Sequence, residues 1–353
     1  MAYWTINDPP FAGLTGREPE ALFRTIPTPC YVMDEARLRA NAQCLGALAG
    51  RTGCRVLLAQ KAFSNYDFYP LLADHLAGTE ASGLYEARLG REQMPGREVH
   101  VFCGAYRDDE FDELLAYADH IVFNSIHQLK KFGPKGKACG KSLGLRINPE
   151  CSTQEGHAIY DPCAPGSRMG VTRAVWDREM DEETLSLLEG CIRRAQQQWG
   201  VTVYLEPGEA VALNAGYLVS RVLDIVENGD TRIAILDASA ACHMPDVLEM
   251  PYQPPIYQAS VENEAGDRYR LAGPTCLAGD VIGDYTFARS LQEGDLVLFG
   301  DMAIYTTCKN NTFNGMPLPN IWKLDEEGKL TRLTNFGYET FRERLGRQNR
   351  DCQ

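Results

Sequence analysis

Val56-Leu57-Leu58-Ala59-Gln60-Lys61-Ala62 is the stretch on which the reading of the chain turns. Four apolar residues in succession predict a short buried strand, and Lys61 stands just beyond its end. If that strand belongs to a parallel barrel, Lys61 lies at the C-terminal mouth, where barrel active sites are built. A lysine so placed can shed enough hydration to act as an amine nucleophile. On an ordinary sheet the same residue is a solvated strand end.

The surroundings supply the barrel. Helical periodicity after Asp34 puts Leu38, Leu45 and Leu48 on one face and ends near Gly50 and Gly53. Beyond Lys61 a helix is predicted at 69–76, a strand at 80–82, a helix at 85–92, a strand at 99–102 and a helix at 111–118. Strands near 121–123 and 143–147 flank a further helix, and another strand is expected near Val201. Alternation of this kind signals a parallel sheet with crossover helices, here a TIM-type (β/α) barrel. After about Gly216 strands at 217–226, 233–236, 268–271 and 296–299 follow one another without long helices, and Pro251, Pro254 and Pro255 interrupt the chain. That region reads as a separate antiparallel β domain. The expected division is therefore an N-terminal segment, 1–33, whose strand joins the β domain, a barrel over 34–215, and a C-terminal β domain over 216–353.

Bulk properties narrow the function. Hydrophobic residues make up 44% of the 353 and charged residues 24%, which is ordinary for a soluble globular protein. A net charge of −13 argues against nucleic-acid binding and suits a cationic substrate. No run approaches the ~20 apolar residues of a membrane span, and the first ten residues lack the pattern of a secretory signal. A cytoplasmic location is the expectation. The 12 cysteines form no Cys-x-x-Cys pair and are expected to be free thiols; no Cys/His group has metal-ligand spacing, so no metal is expected.

Several motifs then occur in order: Pro27-Thr28-Pro29-Cys30-Tyr31-Val32-Met33-Asp34, Lys61, Glu80-Ala81-Ser82-Gly83-Leu84-Tyr85-Glu86, Leu145-Arg146-Ile147-Asn148-Pro149 and Ser167-Arg168-Met169-Gly170. They continue with Leu205-Glu206-Pro207-Gly208-Glu209, Gly273-Pro274-Thr275-Cys276 and Ala303-Ile304-Tyr305-Thr306. Together, over about Ile26 to Trp322, they resemble the fold-type III pyridoxal-phosphate decarboxylases. Glu209 after Glu-Pro-Gly, Leu277 after Cys276 and the run His243 to Pro251 resemble the carboxynorspermidine/carboxyspermidine decarboxylases more than the ornithine, arginine or diaminopimelate enzymes.

The resemblance implies pyridoxal 5'-phosphate as cofactor, polyamine biosynthesis as the setting, and a homodimer with shared active sites. It implies that Lys61 holds the cofactor, that Glu206 keeps the ring nitrogen protonated and that Arg146 lies near the ring. It further implies that Cys276 delivers a proton from across a dimer interface and that Tyr305 bonds the phosphate. Glu209, Asp246 and Asp280 are candidates for gripping the cationic tail of a polyamine carboxylic acid.

Two expected parts are absent. The predicted barrel strands number six, against the eight of a closed barrel at ~30 residues per βα unit. Between Gly170 and Val201 there is no histidine to stack on the cofactor, and no two of the 32 glycines are adjacent to cradle its phosphate. The sequence reads as a barrel lacking about two βα units. Three readings stay open: the polyamine-acid decarboxylase, another basic amino-acid decarboxylase of the same fold, or a homologue that no longer turns over.

Overall fold

The structure is a computed structural model that describes residues 9–148, 163, 167–169, 171–172, 193, 196–261 and 265–346. A short helix α1 (Pro19–Phe23) precedes strand β1 (Cys30–Asp34) and the long helix α2 (Glu35–Thr52). Strands and helices then alternate: β2 (Arg55–Ala59), α3 (Tyr69–Ala73), β3 (Gly78–Ala81), α4 (Leu84–Gln93), β4 (Glu98–Phe102), α5 (Phe111–Tyr117), β5 (His120–Phe123), α6 (Ile126–Ala138) and β6 (Ser142–Leu145). Strands β7 (Ile147–Asn148) and β8 (Val171–Thr172) pair with each other, and β9 (Tyr204–Leu205) follows. The rest is strand-rich: β10 (Gly216–Asn228), β11 (Thr231–Leu236), β12 (Ala259–Ser260), β13 (Asp267–Ala272), β14 (Val281–Phe287), β15 (Leu296–Phe299), β16 (Asn320–Leu324) and β17 (Leu330–Arg332).

The chain divides into two compact units. A parallel unit comprises residues 43–61 and 68–208; a sheet unit comprises 1–42, 62–67 and 209–353. The division runs through α2, and the six residues after Lys61 belong to the sheet unit.

In the parallel unit six strands lie in the order β6-β5-β4-β3-β2-β9, every pair parallel. These are the six strands expected from the sequence; the last begins at Tyr204 rather than near Val201. Successive side chains alternate between the two faces. Ala81, Val99, Val101, Ile121 and Phe123 form one buried cluster with Ala87 of α4 and with Phe111, Leu114 and Leu115 of α5. Each such side chain contributes on the order of 1–3 kcal/mol by leaving water. Two glycines allow the close approach. A Cβ on Gly78 would lie 1.9 Å from the Glu98 carbonyl oxygen of the neighbouring strand, and one on Gly90 of α4 would lie 2.3 Å from Thr79 Oγ1 of β3.

The sheet unit is built on nine strands, in the order β12-β14-β13-β11-β10-β1-β16-β17, with β15 also paired to β10. Its 13-residue strand β10 pairs with β1 and β15 along one part and with β11 along another, the change marked by a register shift between Val222 and Asp224. An irregularity there lets one strand serve two sheet segments. The sheet is mixed rather than wholly antiparallel, because β1 runs parallel to β16 and β11 parallel to β13. The strand Cys30–Asp34, from the N-terminal region, lies inside this sheet, with Cys30 and Val32 in a core shared with Phe23, Tyr217, Val219 and Leu298. The nine described cysteines are free thiols. No helix among the described residues is long and apolar enough to cross a membrane.

Candidate active site

Strand alternation sets the chemistry of the parallel unit. The face of β3, β4, β5 and β6 that carries Ala81, Val101, Phe123 and Leu145 is covered by helices. The opposite face therefore carries Glu80, Phe102, Val122 and, just past β6, Arg146. Just past β2, Gln60 is fully buried on the helix side, donating from Nε2 to the Glu86 carbonyl at 2.5 Å, so Lys61 falls on the other face. Glu206 follows β9 directly. Because all six strands are parallel, these residues lie at one rim, the C-terminal one.

There the Lys61 ammonium stands 3.5 Å from Glu80 Oε2; the lysine side chain is 47% exposed and the glutamate 2%. Burial pushes the Glu80 carboxyl up to about 7, against the pull of Lys61 and with further upward pressure from Glu206 and Glu86. Glu206 is also held above the ordinary carboxylate range, by desolvation first, while Lys61 and Arg146 pull the other way. Water reaches its side chain, yet the surrounding protein limits its hydration. Arg146 lies over the Phe102 ring, 4.5 Å from its centre, and its backbone N–H donates to the Phe123 carbonyl at 2.8 Å. The structure thus brings together Lys61, Glu206 and Arg146, and adds Glu80. In the sequence Glu80 stands only as part of the Glu80–Glu86 motif. Its signal was a carboxylate at the end of a predicted strand next to the one that presents Lys61.

The other five predicted residues belong to the sheet unit. Tyr305 has a left-handed backbone, φ 57°, and its N–H donates to the Ala62 carbonyl at 2.9 Å, one residue along the chain from Lys61. Cys276 is exposed, and its N–H donates to Asn314 Oδ1 at 2.8 Å. Glu209 and Asp246 come into one electrostatic neighbourhood: both act on Tyr252, together with Asp301, and after burial these charges help push its phenol up to about 12. Asp246 also pairs with Lys309, whose ammonium reaches Glu249 Oε2 at 2.8 Å. Asp301 was not anticipated; a lone aspartate in a Gly-Asp-Met turn carries no sequence signal of its own.

Asp280 has a different employment from the tail-gripping one expected. It is 3% exposed, and its carboxylate accepts from Ser239 Oγ at 3.0 Å, Thr275 Oγ1 at 2.6 Å and the Ala241 N–H at 3.3 Å. Its oxygens are occupied by the protein, which makes it a structural anchor for the loop carrying Cys276. The residues expected to hold a ring-stacking histidine and a Gly-Gly turn, between Gly170 and Val201, lie for the most part outside those described.

The residues at the rim fit pyridoxal phosphate at two points. Lys61 offers the amine that attaches it, and two carboxyls held above their ordinary range by desolvation, Glu80 and Glu206, act on that amine. Its phosphate end has no Gly-Gly cradle in the sequence.

Comparison with known proteins gives the family and the fold. The family model described as pyridoxal-dependent decarboxylase, C-terminal sheet domain, matches residues 30–303. A carboxyaminopropylagmatine decarboxylase of Synechocystis sp. is 35% identical over 91% of this chain and 96% of that protein. A carboxynorspermidine/carboxyspermidine decarboxylase of Campylobacter jejuni is 34% identical over 90% of this chain and 98% of that protein. The crystal structure of carboxynorspermidine decarboxylase from C. jejuni, complexed with norspermidine, superposes with a TM-score of 0.80 at 33% identity, over 90% of this chain and all of that one. The alignment to the Synechocystis protein is 374 positions long but takes in only 91% of this chain's 353 residues, which leaves about fifty positions carried by the relative alone. That is close to two βα units at ~30 residues each.

Proposed function

The chain belongs to the pyridoxal-dependent decarboxylases, and on that footing we propose that it removes carbon dioxide from carboxynorspermidine or carboxyspermidine in polyamine biosynthesis. The observation that carries the reading is the rim of the parallel unit, where Lys61, Glu80, Glu206 and Arg146 stand at the C-terminal ends of parallel strands. When bound, the cofactor supplies an electron sink for the bond that loses carbon dioxide.

The chain's own residues do the rest. Lys61 offers its amine as the covalent tether. Glu80, with a carboxyl that titrates near neutrality, holds or releases a proton at Lys61 Nζ. Glu206 would sit against the ring nitrogen of bound cofactor and favour its protonated form, while Arg146, seated on Phe102, pulls the raised Glu206 carboxyl back down. Cys276 would supply the proton that replaces the lost carboxylate; its exposure supports delivery into the site of a second copy of the chain. Tyr305, whose N–H is tied to Ala62, would bond the phosphate of bound cofactor. Glu209 and Asp246, grouped about Tyr252, receive an ammonium of the tail; Asp246 would exchange Lys309 for it.

A second reading is favoured by the near-equal identity to the Synechocystis relative: carboxyaminopropylagmatine as substrate. The test is carbon dioxide release from the three acids by cofactor-loaded protein, beside a Lys61→Ala variant. Turnover with one acid at least tenfold above the others assigns the substrate, and Lys61→Ala is expected to lose both turnover and the visible absorbance of bound cofactor. Wild-type protein that neither takes up the cofactor nor releases carbon dioxide overturns the reading in favour of a homologue that has lost activity.

A further inference from the structure

Toward the N-terminal ends of β4 and β5, on the same face of the sheet, a second cluster forms. β4 and β5 are parallel, and their register sets His100 directly beside His120. Glu98, two residues before His100, lies on the same face. The carboxylate Oε2 of Glu98 is 3.1 Å from His100 Nε2 and 4.0 Å from His120 Nε2, and one ligand atom from each residue can be chosen so that all lie within 4.8 Å of one another. The two imidazoles stack, with centres 3.9 Å apart and planes at 18°, so both nitrogens reach toward the same oxygen. His100 is buried, and Glu98 and His120 are half-buried.

These spacings match the edges of a metal tetrahedron. Zinc bonds of about 2.0–2.1 Å to nitrogen and oxygen place neighbouring ligand atoms roughly 3.3 Å apart. The Glu98–His100 distance of 3.1 Å is already at that length, and the Glu98–His120 distance of 4.0 Å closes onto it by roughly 0.7 Å around an ion. The other Glu98 oxygen, Oε1, is held by Arg55 at 2.9 Å, which fixes the carboxylate's orientation and leaves Oε2 for coordination. Tyr204 closes one side, its ring 4.6 Å from His100 and 5.8 Å from His120. Two imidazoles and one carboxylate select zinc or a similar borderline divalent ion over calcium or magnesium, and leave a fourth position for water.

We propose that Glu98, His100 and His120 bind one divalent ion of the zinc class at the N-terminal rim of the parallel sheet. The ion clamps β4 to β5 and acts on stability, as features at this end of a barrel do. The site does not depend on the decarboxylase reading. It also revises the expectation of no metal, which rested on ligand spacing along the chain. His100 and His120 are twenty positions apart, and only strand register makes them neighbours.

The test uses tag-free, full-length, cofactor-loaded protein stripped with a chelator and titrated with cobalt(II). The expected result is one equivalent bound with the visible bands of a tetrahedral nitrogen/oxygen site, displaced by zinc, and a zinc-dependent rise in melting temperature. His120→Gln and Glu98→Gln are each expected to lose both signals while metal-free variants keep the wild-type circular dichroism. If one variant fails to fold, the other and the wild-type titration decide. Absence of the cobalt bands in wild type overturns the proposal. So does binding that survives in a folded variant, or a thiolate-to-cobalt charge-transfer band, which would place the ion on cysteines.

Discussion

The Lys61 ammonium lies 3.5 Å from Oε2 of a buried Glu80, each residue at the C-terminal end of its own strand in a parallel pair. The pair is asymmetric: the amine is half in water, the carboxylate is not. Glu80 thus bears most of the desolvation, and its carboxyl rises from 4.5 to about 7. A raised carboxyl favours folding while it is protonated. That contribution is complete below pH 4.5 and is lost as pH rises through 7. Glu80→Gln should therefore leave cofactor-free stability unchanged at pH 4 and raise it at pH 8, by about 3 kcal/mol at most. Denaturant unfolding at the two pH values checks this; equal effects at both would show that Glu80 does not titrate as described.

Asp280 separates structure from substrate binding. With Ser239 Oγ, the Ala241 N–H and both the N–H and Oγ1 of Thr275 donating to its carboxylate, Asp280→Ala strands four donors in a buried place. The expected loss is about 3 kcal/mol. Glu209→Gln, by contrast, should leave the melting temperature in place and raise KM for the polyamine acid several-fold. An Asp280→Ala protein of normal stability with a raised KM would return Asp280 to the substrate site.

His243 should make the sheet unit acid-sensitive. The Ser239 N–H donates to its Nδ1 at 3.2 Å, so the Nε2 proton is the one donated to the Pro317 carbonyl at 3.1 Å. Burial lowers its pKa from 6.5 to about 4. For a group depressed in this way, stability is present above 6.5 and is lost as pH falls through 4. Between those values the wild type should lose about 3 kcal/mol more than His243→Gln. The slope of stability against pH is the measurement, since the substitution has its own constant cost.

Gly78 is a packing requirement of the parallel sheet. Its absent Cβ would sit 1.9 Å from the Glu98 carbonyl oxygen, and neither strand can move without breaking its ladder. Gly78→Ala should cost more than about 3 kcal/mol. Gly50→Ala, where an added Cβ meets nothing within 4 Å, should be neutral or slightly stabilising and serves as the control in thermal melts.

Local pattern carried much of this protein. The apolar run 56–59, the periodic helix after Asp34 and the later strand–helix alternation each depend on neighbours a few residues away, and the six strands of the parallel sheet follow from them. Lys61 was legible for the same reason, since a residue just past a parallel strand has its rim assigned by strand direction; Glu206 and Arg146 were named through the family resemblance, and the predicted strand 143–147 left Arg146 inside it rather than past its end. What chain order could not carry is register and burial. The parallel pairing of β1 with β16 joins segments nearly three hundred positions apart, so the sheet unit is mixed where local pattern suggested antiparallel. Asp280 looks from the sequence like any loop carboxylate; the Ser239 and Ala241 donors, about forty positions away, join those of Thr275 to make it an anchor. Glu98, His100 and His120 show no ligand spacing, and strand register alone sets them around one point. The sequence by itself determined the strand-end chemistry, because direction and alternation are local. The tertiary structure decided which carboxylates are buried, which are consumed and which imidazoles meet, because desolvation and pairing are set by atoms distant along the chain.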